Sequence, residues 1–105
     1  MLRSACIEQN VEPTMLIKKG PCVYGGCMLQ VSKSDGLLKI YDCGAVGDVS
    51  NSCLVDIVGL DVSVEGENRM KGGMEFGEEE SCIRITNGIV AAITGGGTLG
   101  VVAFK

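Results

Sequence analysis

Short apolar runs recur along the chain, and turn-forming residues interrupt them about every 8 to 12 positions. In the last quarter, Cys82-Ile-Arg-Ile-Thr86, Ile89-Val-Ala-Ala-Ile-Thr94 and Thr98-Leu-Gly-Val-Val-Ala-Phe104 are rich in β-branched residues. Asn87-Gly88 and Gly95-Gly96-Gly97 separate these runs, and both spacers tolerate positive φ. The pattern predicts a three-stranded meander whose last strand closes an all-β unit.

The remaining runs read the same way. An amphiphilic arm, Leu2 to Val11, precedes Glu12-Pro13 and a strand over Met15-Leu-Ile-Lys18, which Gly20-Pro21 ends. Cys22 to Val31 forms the next strand, with a bulge expected at Gly25-Gly26, and Ser34-Asp35-Gly36 is expected to turn the chain. Leu37 to Asp42 is a strand, and Cys43 to Ser52 a polar loop. Leu54 to Val64 mixes helical and strand spacing. Its valines and Gly59 favour two short strands meeting at the glycine. Glu67 to Phe76 adds another segment, bent at Gly72-Gly73. The sum is a single-domain antiparallel β-sandwich or jelly roll of about eight short strands over residues 13–105, with residues 1–12 as an extended N-terminal arm.

Composition narrows the core and the partners. Of 105 residues, 46% are hydrophobic but only 4% aromatic, so Val, Ile, Leu and Met must fill the interior around Tyr24, Tyr41, Phe76 and Phe104. Sixteen glycines raise the entropy cost of folding and leave a modestly stabilised monomer that self-association would help. The net charge of −4 and the scattered basic residues speak against a nucleic-acid groove, since Lys18-Lys19 is the only tight basic pair. Six Glu between positions 65 and 80 read as a solvated rim. Glu8 interrupts any apolar signal region, and no window approaches the roughly 20 apolar residues of a helical membrane span. A chain made in the cytosol, with no membrane partner, is expected.

Candidate chemistry is sparse. Cys6, Cys22, Cys27, Cys43, Cys53 and Cys82 form no Cys-x-x-Cys pair, and with no histidine a zinc site is poorly supported. The leading reading makes them small structural hydrophobes; disulfides formed after release into an oxidising medium are the alternative. Lack of histidine also removes Ser-His-Asp and Cys-His catalysis. Asp42, Asp48, Asp56 and Asp61 show no metal-binding or paired-carboxylate spacing and read as turn formers. Gly95-Gly-Gly-Thr-Leu-Gly100 matches a dinucleotide-binding glycine pattern, but only five residues follow it and they are strand-like, so a glycine-rich hairpin is expected instead. No catalytic, cofactor-binding or metal-binding residue is assigned, and no enzyme is expected.

One resemblance concerns several of these turns together. Gly20-Pro-x-x-x-Gly-Gly26, Gly36-Leu-Leu-Lys-Ile-Tyr-Asp42, Met74-Glu-Phe76, Ile85-Thr-Asn-Gly-Ile89 and Gly97-Thr-Leu-Gly-Val-Val-Ala-Phe104 resemble small tailed-phage virion proteins. The six cysteines depart from that pattern. The resemblance implies a single β-sandwich that decorates or cements a phage head, or sits on a neck or tail. It further implies a homotrimer bound to the major capsid protein or another virion protein, with no catalytic residues. In this scheme the arm reaches a neighbouring subunit, and deleting residues 1–12 weakens assembly while leaving the fold intact. A glycan-binding or adhesive β-module is the alternative, although two tyrosines and no tryptophan make a poor sugar-stacking platform.

Overall fold

Two unusually long strands organise the chain. The computed structural model describes residues 3–8, 12–60, 68–71 and 83–105, of which 31–35, 60, 68–71 and 95–98 are described by their backbone alone. The strands are β1 (Arg3–Glu8), β2 (Thr14–Lys19), β3 (Cys22–Asp42), β4 (Leu54–Leu60), β5 (Asn68–Lys71), β6 (Ile83–Ile85) and β7 (Gly88–Phe104). β3 and β7 pair antiparallel from Tyr24↔Phe104 to Asp42↔Ile89. The first half of β3 and the second half of β7 carry β1 on one flank and β5 and β6 in succession on the other. Their remaining halves carry β2 and β4. The result is two four-stranded antiparallel sheets, β1-β7-β3-β5/β6 and β2-β7-β3-β4, packed as a β-sandwich and sharing both long strands.

Bulges let one ribbon serve both sheets. Between Tyr24 and Gly26 the ladder slips by one residue, so Tyr24 and Cys27, three apart, both point inward. This is the bulge expected at Gly25-Gly26, and Gly26 has φ 119°. At the bend, Val31 faces Gly97 and Gly36 faces Gly95, so four residues of β3 stand opposite Gly96. Ser34-Asp35-Gly36 and Gly95-Gly96-Gly97 are therefore not hairpin turns; each lies inside a continuous strand where it passes from one sheet to the other. The side chains facing inward on β7 also change parity, from Ile89, Ala91 and Ile93 to Val102 and Phe104.

The expected C-terminal meander is replaced by a crossing. β6 pairs with β3 in one sheet, and Asn87-Gly88 leads into the half of β7 that belongs to the other. Turn chemistry is legible in the dipeptide, but its flanking strands find their partners elsewhere. The neighbouring crossing at Gly20-Pro21 is tied to this corner, because the Gly20 N–H donates to the Asn87 carbonyl at 2.9 Å. Asp42 accepts the backbone N–H groups of Thr86 at 3.1 Å and Asn87 at 2.8 Å. Gly88 has φ 144°, and a Cβ there would lie 2.6 Å from the Lys18 carbonyl oxygen and 2.8 Å from that of Cys43.

One core lies between the sheets. Ile7, Tyr24, Cys27, Leu29 and Val102 meet Leu38, Ile40, Val58, Ile89 and Ile93 across it. A second, smaller cluster lies on the outer face of the β2-β7-β3-β4 sheet. There the loop after β3, with 3₁₀ turns at Val46–Asp48 and Asn51–Cys53, folds Val49 and Cys53 against Tyr41, Cys43 and Val90. Gly59 is not a junction between strands: β4 runs through it, paired with Leu37, and positions 61–64 lie outside the described residues. The bend expected at Gly72-Gly73 lies outside them as well.

The segment read as an arm is extended, and its described part is β1, laid along β7 of its own chain with Ile7 only 1% exposed. Ile7 also touches the position of a Cβ on Gly100, so this strand seals a close approach in the core. Deleting residues 1–12 is accordingly expected to lower the unfolding midpoint, since a buried Ile side chain contributes about 2–5 kcal/mol; a melt unchanged from the full chain would count against β1 as part of the core. Gly88→Ala is expected to cost about 2–3 kcal/mol in urea denaturation. Gly47→Ala, where an added Cβ meets nothing within 4 Å, is expected to be near neutral.

Candidate functional site

Two regions stand apart from ordinary sandwich packing: a polar group inside the core and an apolar group outside it. The inner one is built by β3 and β4. Alternation along Leu54-Val-Asp-Ile-Val58, with a slip between the Ile40↔Asp56 and Tyr41↔Leu54 pairs, turns Asp56 and Val58 inward. Tyr24 reaches across from the other sheet, and its hydroxyl donates to Asp56 Oδ2 at 2.7 Å. Asp56 Oδ1 accepts the Ile57 backbone N–H at 2.8 Å. The Cys27 thiol hydrogen-bonds with Tyr24 in the same spot. Tyr24 and Cys27 are fully buried and Asp56 is 9% exposed.

Burial dominates the electrostatics of this group. It pushes the Tyr24 hydroxyl far above its ordinary value, with Cys27 and Asp56 adding to the shift. Burial likewise pushes the Cys27 thiol up from 9.0 to about 11; the Tyr24 hydrogen bond offsets part of this, and the Asp56 charge adds to it. Both groups therefore keep their protons at neutral pH. A protonated thiol with no path to solvent is a poor nucleophile, so the arrangement pins one sheet to the other rather than activating a reactive atom. Asp56 was expected at a turn. The signal that places it inside is its position in the strand alternation, in phase with Val58.

Asp42 clamps the corner before β7, Asp48 sits exposed in a 3₁₀ turn, and Asp61 lies outside the described residues. Among the described residues, no three His, Cys, Asp or Glu side chains gather as metal ligands. Cys22, Cys27 and Cys43 are buried as small hydrophobes; Cys53 is half-buried, Cys6 is exposed, and Cys82 is outside the described residues. None of the five described cysteines is in a disulfide. The glycine pattern at 95–100 runs through β7 and opens no helix, so the dinucleotide reading ends there. Tyr24 and Tyr41 are both buried and offer no exposed ring on which a sugar could stack.

Outside the core, the exposed large hydrophobic side chains among the described residues are Val46, Leu54 and Ile57. Ile57 alternates with inward Asp56 and Val58, and the slip that pairs Leu54 with the outward Tyr41 brings Leu54 to the same outer face of β4, at 43% and 38% exposure respectively. Among the described residues β4 pairs on one side only, with β3. Val46 lies in the loop that connects β3 to β4. A strand that pairs on one side among the described residues and carries an apolar outer face is suited to contact with another surface. A shallow cleft of about 410 Å³ lies elsewhere, between Pro21, Val23 and Arg84 to Thr86.

The folded chain holds the Cys27 proton more tightly than the unfolded chain does. Its contribution to stability is therefore complete below about pH 9 and is lost as pH rises toward about 11. Urea denaturation in reductant is expected to show stability falling above about pH 9 by about 1.4 kcal/mol per pH unit for each such group. Cys27→Ala is expected to make that fall shallower; an unchanged alkaline limb would contradict the assignment.

No protein-family model matches this chain, and no curated protein matches it.

Proposed function

We propose that this protein is a non-enzymatic structural β-sandwich that works by binding copies of itself and a neighbouring shell. In this reading it is a virion protein, foremost a capsid decoration or cement protein; a neck or tail position is the second setting for the same role. The observation that carries the contact role is β4, an edge strand among the described residues, whose Leu54 and Ile57 point away from the core. Edge strands of this kind are normally shortened, charged or covered, and a symmetric assembly covers them by burying the same patch on every copy. The virion setting rests on the resemblance of the glycine and proline turns to small tailed-phage proteins. The inward Tyr24-Asp56 link supports a rigid building block, because it fixes how the two sheets face one another.

Light scattering on the purified chain is expected to give a defined trimer whose mass does not change with reductant. Leu54→Glu with Ile57→Glu is expected to yield monomer with an unaltered far-ultraviolet circular dichroism spectrum, since both side chains are exposed. A wild-type monomer at every concentration would overturn the homotypic role. A trimer indifferent to the double substitution would move the contact away from β4.

A further inference from the structure

The loop between β3 and β4 begins and ends at the same place. Tyr41 and Leu54 are cross-strand partners, Cys43 follows two positions after the first, and Cys53 immediately precedes the second. Both cysteines belong to the small outer cluster with Tyr41, Val49 and Val90. Each backbone is held in position: the Cys43 N–H donates to the Gly88 carbonyl at 3.0 Å, and the Cys53 N–H to that of Ser50 at 3.0 Å. Cys43 Sγ lies 3.6 Å from the Ala45 carbonyl oxygen, and Cys53 Sγ lies 3.5 Å from Ser50 Oγ.

We propose that Cys43 and Cys53 form a site of oxidative cross-linking, where a small-molecule disulfide such as oxidised glutathione closes a bond across the mouth of this loop. The half-buried Cys53 reacts first. Its thiolate attacks one sulfur of the oxidant, a mixed disulfide forms on Cys53, and one small thiol leaves with the proton. The Cys43 thiolate then attacks the Cys53 sulfur, the second small thiol leaves, and the Cys43–Cys53 bond remains. Two protein thiols are oxidised and one small disulfide is reduced to two thiols. Burial raises the Cys43 pKa, which suits it to the second, intramolecular step rather than to attack on a dissolved oxidant.

Two other kinds of pairing meet geometric obstacles. Cys22 and Cys27 lie on one strand, five positions apart, which an extended backbone separates by about 15 Å. Cys6 is on β1, in the sheet to which the loop does not belong. The cross-link holds the loop that borders Leu54, so it fixes the margin of the exposed β4 face. The inference does not depend on the assembly role of that face.

The test is to incubate the native full chain with oxidised glutathione, quench in acid, alkylate under denaturing conditions and map peptides by mass spectrometry. The expected result is a reductant-sensitive Cys43–Cys53 peptide as the main disulfide, with Cys22 and Cys27 recovered alkylated. Cys53→Ser, a substitution at a half-buried position, is expected to abolish that peptide and leave Cys43 alkylatable. Recovery of both cysteines alkylated, glutathione retained on Cys53 alone, or Cys53 linked to Cys6 or Cys82 would each overturn the proposal.

Discussion

Everything in this fold hangs on the β3–β7 ladder. Two strands that hydrogen-bond from Tyr24↔Phe104 to Asp42↔Ile89 make a ribbon too long to lie in one sheet of a small domain. Folded across the middle, the ribbon faces itself, and its inward side chains become both halves of the core. The fold works only if each half presents its apolar face to the other. A single-residue slip reverses the faces of a strand, and the register shifts at Gly25, along 31–36 and beside Gly97 restore the phase. The shorter strands then take the flanks that remain, two on β7 and three on β3.

Such a core is non-directional where it is aliphatic. Leu, Ile and Val pack at many relative sheet positions with similar burial, because the hydrophobic effect counts area rather than angle. The Tyr24-Asp56 hydrogen bond is directional, and displacing either sheet would leave buried polar atoms without partners, at about 1–3 kcal/mol each. The Asp42 clamp does the same for the corner before β7, where the backbone N–H groups of Thr86 and Asn87 would otherwise go unpaired by the protein.

Among the described residues, Tyr24, Asp42 and Asp56 are engaged in holding the fold. The loop after β3 shields Tyr41 and Val90 on one outer face but stops short of Leu54 and Ile57 on β4. That boundary separates a cluster the chain covers by itself from side chains that stay exposed. The same loop carries the chain's one pair of cysteines, among the described residues, that bracket a single connection.

The all-β class, the bulge at Gly25-Gly26 and the strand character of most runs were legible in the amino-acid sequence, because each depends on neighbours within a few positions: β-branched residues, alternation, and glycines at strained φ. The topology was not. Asn87-Gly88 and Gly95-Gly96-Gly97 have the same local appearance whether they join paired strands, cross between sheets or bend a continuous strand, and only the distant partners on β3 decide between these. Asp56 shows the same limit for the candidate site. Its residue type favours a turn, its place in the alternation favours the interior, and the balance was struck by Tyr24, 32 positions away, which supplies the hydrogen bond that makes burial tolerable. The sequence by itself determined which segments extend and which side chains seek the core. Tertiary structure decided which strands meet, because pairing energy is shared between residues far apart in the chain and is written in neither partner alone.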